Sequence, residues 1–177
     1  MKKLKLIQTI LVTSLLFGGF TARATTVFYE ASNISGNTWE YSYTVNNDML
    51  TVDIEEFTIF FDVGLYENLV ATSTPVDWDP LVIQPDPFIP DDGFYDALAL
   101  AAGISPGNSL GGFGVQFDYL GAGTPGVQGF DIVDPFTFDV LDSGFTQVVP
   151  LPAAIWLFVT GLLGMFGLGA AQNRKSA

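Results

Sequence analysis

The side chains with the clearest chemical potential in this sequence are its carboxylates. The chain has 177 residues, with 19 Asp and Glu, six Lys and Arg, and neither His nor Cys. All acidic residues lie between Glu30 and Asp142, whereas every basic residue lies in the first 23 or the last four positions. The segment 25–152 therefore has a formal charge of −19 and no positive side chain.

This charge distribution excludes several classes of function. A nucleic-acid binder neutralises phosphates with Lys or Arg, so we expect no nucleic-acid partner. Most nucleophile–base pairs need His, Cys or Lys, and the segment 25–152 contains none of them. Catalysis would be restricted to two carboxyl groups that flank a glycosidic bond. We therefore expect that the protein is not an enzyme, with a carboxylate-based glycosidase as the lesser alternative.

Two acidic clusters beside turn-forming residues carry donors suitable for calcium. They are Asp77 with Asp79, and Asp91 with Asp92. Calcium takes about six to eight oxygen ligands from carboxylates and backbone carbonyls on bent loops. Neither cluster has the Asp-x-Asp-x-Asp-Gly spacing of a calcium loop. The favoured interpretation is a solvated acidic surface without a cofactor, and a calcium site that uses both clusters is the alternative.

Aromatic side chains offer a second kind of candidate site. Trp39, Trp78 and the tyrosines could stack on sugar rings in an extracellular carbohydrate-binding module. Aromatic residues dominate the buried area of protein cores, so packing is the favoured role for most of them.

The elements that must position these residues are predicted to be β-strands. Apolar and polar residues alternate over Trp39–Val45 and Phe113–Tyr119, which is typical of half-buried strands. Further candidate strands are 26–31, 50–54, 57–63, 94–100, 128–133 and 136–140. About eight short strands separated by Gly, Pro and Asn predict an all-β, antiparallel two-sheet sandwich over residues 25–148, Ig-like or jelly-roll-like.

Two segments of this domain leave alternatives open. Residues 72–92 contain five prolines and five acidic residues, and we expect a long connection there that is functional or mobile. Residues 94–102 could form a short helix instead of a strand, because Phe94, Leu98 and Ala102 are one helical turn apart.

The amino terminus has the three parts of a secretory signal peptide. Lys2, Lys3 and Lys5 precede an apolar run from Leu6 to Phe20, and small residues follow at Ala22 and Ala24. We predict a signal peptide over residues 1–24 that the secretion machinery exports and signal peptidase cleaves after Ala24.

The carboxyl terminus contains an uncharged segment over residues 153–171, close to the ~20 residues that cross a bilayer as a helix. Arg174 and Lys175 follow it, so the positive-inside rule places the terminus in the cytoplasm and residues 25–152 outside. Four glycines weaken this transmembrane helix. Pro150 and Pro152 hold the preceding residues extended, which is the conformation in which proteases usually take a substrate.

These residues resemble a known sorting signal. The segment Val149, Pro150, Leu151, Pro152 and Ala153, the glycine-rich span and the terminal bases together resemble the VPLPA-CTERM variant of the PEP-CTERM signals. The resemblance covers residues 149–177 and departs from the family in its short basic cluster. It implies recognition by an exosortase, a membrane-embedded cysteine transpeptidase of Gram-negative bacteria that make extracellular polysaccharide.

Together these features predict an exported bacterial protein with three parts: residues 1–24, 25–148 and 149–177. The resemblance implies a transient inner-membrane anchor, cleavage at or near Val149–Ala153, and transfer to the cell surface or extracellular matrix, with the polysaccharide there as a further partner. The alternatives are an extracellular carbohydrate-binding module and a protein that stays anchored in the membrane.

Overall fold

A computed structural model describes residues 25–150 and Phe158, and it contains ten β-strands within residues 26–148. The strands are β1 (Thr26–Ser35), β2 (Thr38–Asn46), β3 (Glu56–Phe61), β4 (Tyr66–Ser73), β5 (Trp78–Ile83), β6 (Gly93–Ala99), β7 (Ser109–Tyr119), β8 (Gly129–Val133), β9 (Val140–Phe145) and β10 (Gln147–Val148).

The strands form two five-stranded sheets. The first sheet has the order β10-β1-β2-β7-β4, and the second has the order β5-β6-β3-β8-β9. All pairings are antiparallel except that of β1 with β10, which is parallel. The predicted all-β fold with two mostly antiparallel sheets is confirmed.

The core lies between the sheets and is built largely from aromatic rings. In β3, Phe57, Ile59 and Phe61 are fully buried, and the residues between them point outward, as the period of two in a strand requires. Ring centroids lie 4.6 Å apart for Tyr41 and Phe117, which belong to neighbouring strands of one sheet. Rings on the inner faces supply most of the buried area in such a core, and their contacts at 4.5–7 Å add further stabilisation.

Gln128 is a buried residue that connects several hydroxyl groups of this core. The Gln128 side chain, which is 3% exposed, donates from Nε2 to the hydroxyls of Tyr41 at 2.8 Å and Tyr66 at 3.1 Å. Its backbone N–H donates to Thr146 Oγ1 at 2.9 Å. Because each of these polar groups is removed from water, the network satisfies hydrogen bonds that would otherwise be lost on folding.

Several predicted strand limits are wrong. Residues 50–54 form no strand and contribute one isolated bridge, between Ile54 and Ile104. Residues 136–139 form no strand, and β9 begins only at Val140. Residues 93–99 are the strand β6, so the alternative helix over 94–102 is excluded.

The predicted long connection over residues 72–92 is also wrong, because it contains β5. Pro80 lies in this strand, and β5 is at the edge of the second sheet. Proline is tolerated in edge strands, where its missing N–H costs no ladder hydrogen bond. The proline content of this segment is therefore compatible with a strand.

The structure of both termini lies outside the described residues, so the signal peptide over 1–24 and the helix over 153–171 stay predictions. In the part of the chain that the structure describes, no helix is long and apolar enough to cross a membrane.

Candidate binding face on the second sheet

The outer faces of the two sheets differ in chemistry. On the first sheet, Glu40 pairs with Ser32 on one side and Gln116 on the other. Thr72 Oγ1 donates to Glu40 Oε1 at 2.6 Å. This polar surface is what an antiparallel sheet normally presents to water.

The second sheet instead presents an apolar line across its strands. Strand register places five residues side by side on its outer face, and we call this line the aromatic row: Ile83, Phe94, Phe60, Gly129 and Phe145. Phe145 is 71% exposed and Ile83 is 44% exposed, while Phe60 and Phe94 are half-buried. A Cβ on Gly129 would lie 3.7 Å from Phe60 Cδ2, so the Phe60 ring borders the glycine on one side and Phe145 lies opposite it.

A second line runs parallel to the aromatic row, at positions two residues away along each strand. We call it the polar row, and it consists of Leu81, Asp96, Thr58, Asp131 and Ser143. Thr58 Oγ1 donates to Asp96 Oδ2 at 2.7 Å. Burial raises the pKa of Asp96, and the hydrogen bond from Thr58 opposes that increase.

A third line completes the face. It consists of Asp79, Leu98, Glu56, Val133 and Val140. The pKa of Glu56 is raised by burial first, and then by the nearby charges of Asp96 and Asp134. A shallow cleft of about 480 Å³ adjoins this line and is lined by Val133, Asp134 and Leu141, among others.

The chemistry of the face follows from these three lines. Neighbouring strands are ~4.8 Å apart, so the aromatic row extends over ~19 Å across five strands. Ring surfaces lie beside carboxylate and hydroxyl groups that accept hydrogen bonds. The three lines lie on the outer face of the sheet and cross all five of its strands.

The structure separates the two acidic clusters that the sequence suggested for calcium. Asp77 and Asp79 lie at one end of the β5–β6 hairpin, and Asp91 and Asp92 lie at the other end, ~20 Å away along the strands. Asp92 Oδ1 accepts a hydrogen bond from the Val63 N–H at 2.8 Å. Among the described residues, no group of three or more carboxylates is arranged to hold a metal ion. The two clusters therefore lie at opposite ends of this hairpin, and a calcium site that uses both stays a prediction.

The aromatic residues that the sequence suggested for sugar stacking are mainly part of the core. Trp78 is 7% exposed and contacts Phe57 and Phe113 through its ring. Trp39 is partly buried against the core, and five of the six tyrosines are buried. The favoured packing role is confirmed for these residues, and the exposed rings within residues 25–150 are phenylalanines.

Of the predicted sorting motif, the structure describes Val149 and Pro150. The Val149 N–H donates to the carbonyl of Tyr29 at 3.2 Å, directly after β10. Both residues border a cleft of about 370 Å³ whose other walls include Pro125 and Val148. Leu151, Pro152, Ala153, Ala22 and Ala24 lie outside the described residues.

Comparisons with known proteins leave the family open. No protein-family profile and no curated protein matches the chain. The chain is similar to the chitin-binding domain of Chi18aC from Streptomyces coelicolor, with 19% identity and a TM-score of 0.40, over 60% of this chain and 90% of that chain. It is also similar to a family 3b carbohydrate-binding module from the biomass sensoring system of Clostridium clariflavum, with 11% identity and a TM-score of 0.39, over 70% of this chain and 85% of that chain. At these TM-scores, neither similarity assigns a family or a function.

Proposed function

We propose that the chain is an exported bacterial cell-surface or extracellular-matrix protein that an exosortase sorts through residues 149–177. The supporting observation is where the folded domain ends. Its last strand is Gln147–Val148, and the Val149 N–H makes the next backbone hydrogen bond to the domain. The Val149–Ala153 motif begins at that residue, so cleavage within or after the motif leaves every strand of the domain intact.

The test is intact-mass spectrometry of the full chain, made in a Gram-negative host with and without an exosortase. We expect export to remove residues 1–24 in both hosts. With the exosortase, we expect a new carboxyl terminus within or close to residues 149–153. An unchanged carboxyl terminus in both hosts would mean that the protein stays anchored.

A matched pair of variants isolates the motif. Pro150→Ala with Pro152→Ala removes the two residues that keep the backbone extended, and we expect processing to stop. Pro106→Ala removes a proline far from the motif in the chain, and we expect processing to continue. Equal processing of both variants contradicts recognition of an extended segment.

Carbohydrate binding is a second candidate function, for the domain itself. The specific observation in its favour is the aromatic row on the outer face of the second sheet, whereas the outer face of β2 in the first sheet is polar. We expect binding without catalysis, because the aromatic row lies on the outer face of a sheet. It would complement sorting, since a domain delivered to the cell surface meets extracellular polysaccharide there.

A further inference from the structure

We propose that the outer face of the second sheet binds an uncharged polysaccharide chain, which lies along the aromatic row and crosses the strands. This inference rests on the second candidate function, carbohydrate binding, and names its site and the class of its ligand.

The outer face of the second sheet carries apolar side chains that are exposed to solvent in the part of the chain that the structure describes. Ile83, Leu81 and Val140 are 44–55% exposed, and Phe145 is 71% exposed. Contiguous apolar patches on soluble domains commonly mark interaction sites. The first sheet is the internal comparison, because the outer face of its central strand β2 is exposed to the same solvent and consists of Thr, Glu, Ser and Asn. The ring of Phe28 lies beside this polar line, on β1.

The aromatic row is a series of residues on neighbouring strands. Phe94 and Phe60 are neighbours on adjacent strands, and Phe145 follows beyond Gly129. Because glycine has no side chain, the ring of Phe60 lies close beside Gly129, which separates it from Phe145. The three rings span ~14 Å, and the row reaches ~19 Å with Ile83, which matches an extended polymer better than a small, compact ligand.

The polar row supplies hydrogen-bond acceptors beside these rings. Asp96, Thr58, Asp131 and Ser143 run parallel to the rings. A sugar unit has apolar C–H faces and hydroxyl groups around its edge, so rings and acceptors side by side satisfy both. Hydrogen bonds from hydroxyl groups to ionised carboxylates are stronger than those between neutral groups.

The negative charge of residues 25–150 disfavours two other ligands of this face, an anionic polymer and a second copy of the chain. Residues 25–150 contain all 19 acidic residues and no Lys or Arg. An anionic polymer would be repelled, and nothing on the face could neutralise it. A second copy of the chain would bring Asp96, Asp131 and Glu56 near carboxylates of the same face, and like charges in an interface are costly.

The test uses residues 25–150, because this fragment contains all ten strands and the whole core. Cooperative thermal unfolding is checked first for each variant. Binding is measured by co-sedimentation with microcrystalline cellulose and with chitin, and by affinity electrophoresis in soluble β-glucan. Alginate and chitosan serve as the anionic and cationic polymers.

Two matched pairs of variants assign the site. Phe145→Ser is paired with Phe88→Ser, whose ring is 93% exposed in the loop between β5 and β6 and is not a member of the three lines. Phe94→Ser is paired with Phe28→Ser, a half-buried ring on the outer face of the first sheet. We expect each row variant to bind an uncharged polymer about tenfold more weakly, and each control to bind like the unmodified fragment.

Each other outcome overturns the proposal in a distinguishable way. Binding to an uncharged polymer that survives both row variants leaves carbohydrate binding in place and refutes this face. Retention on none of the uncharged polymers refutes both. Retention on chitosan alone, unaffected by Phe145→Ser, indicates simple attraction to the carboxylates. A dimer in analytical ultracentrifugation that Phe145→Ser dissociates shows that the face is a self-association surface.

Discussion

At the scale of single residues, the carboxyl group of Asp96 makes the free energy of unfolding depend on pH. Burial raises its pKa above the ordinary value of 3.8, so the folded state binds this proton more tightly than the unfolded chain does. Its contribution to stability is complete below pH 3.8, and it is lost as the pH rises through the raised pKa of the folded state. Asp96 therefore destabilises the domain at pH 7.

Asp96→Asn is thus expected to stabilise the domain at pH 7 and to have little effect at pH 3. The amide keeps an oxygen that accepts the hydrogen bond from Thr58. Because the carboxyl group is partly exposed, solvent screening limits the gain to about 0.5 kcal/mol. Urea unfolding at both pH values measures it.

Asp118→Asn is the control with the opposite sign. Hydrogen bonds from Thr38 and Asn68 lower the pKa of Asp118, so its contribution is present above the ordinary pKa and is lost as the pH falls. This variant should not gain stability at pH 7. A gain in both variants would show only that the domain benefits from any lost charge.

The buried amide of Gln128 gives a second prediction at this scale. Gln128→Leu leaves the hydroxyls of Tyr41 and Tyr66 without this donor, and we expect the free energy of unfolding to fall by about 2–3 kcal/mol. Gln116→Leu, on the outer face of the first sheet, should change it by less than about 0.5 kcal/mol. Urea unfolding compares the two, and equal losses would contradict a role for the buried network.

The site residues show what sequence reasoning can identify. Alternation identified β2 and β7, and with them the core positions of Tyr41 and Tyr43. The aromatic row was missed because Phe60, Phe94 and Phe145 belong to strands whose order in the sheet is not their order in the chain. One signal was available in the sequence: Phe60 occupies the position between two inward-facing residues, Ile59 and Phe61.

At the scale of elements, β4 shows why a strand can escape prediction. Its buried residues, Tyr66 and Leu69, are separated by an odd step instead of the even step of a regular strand. Asn68 has a φ of 56°, and the register with β7 shifts between Glu67 and Val70. A bulge of this kind breaks the period of two on which sequence patterns depend.

Residues 50–54 show the opposite error, since they form no strand and contribute one isolated bridge, whose close approach depends on Gly103. Ile54 and Ile104 exchange backbone hydrogen bonds at 2.9 and 2.8 Å. A Cβ on Gly103 would lie 2.4 Å from the carbonyl oxygen of Ile54, which is backbone and cannot rotate away. The close approach therefore depends on glycine at this position.

Gly103→Ala is accordingly expected to lower the free energy of unfolding by about 2 kcal/mol, because the two segments must separate. Gly126→Ala is the matched control, since a Cβ there meets no atom within 4 Å. Denaturant unfolding measures both variants. A loss in Gly126→Ala as large as that in Gly103→Ala would contradict a steric origin.

At the scale of the whole molecule, the domain depends on its core because it has few other means of stabilisation. The chain has no cysteine, and residues 25–150 contain no basic side chain to pair with their carboxylates. Uncompensated like charge destabilises the compact state through self-repulsion. The aromatic contacts between the sheets must outweigh this repulsion.

Dissolved salt should therefore stabilise residues 25–150. Raising NaCl from 10 to 150 mM shortens the Debye length from about 30 to about 8 Å, so most repulsion between exposed carboxylates is screened. We expect the free energy of unfolding to rise by on the order of 1 kcal/mol, as measured by urea unfolding at pH 7. Near pH 3 most exposed carboxyl groups are protonated, and the same increase in salt should have a much smaller effect. An equal gain at both pH values would indicate a general effect of salt on apolar burial, and self-repulsion would then contribute little to the stability of this domain.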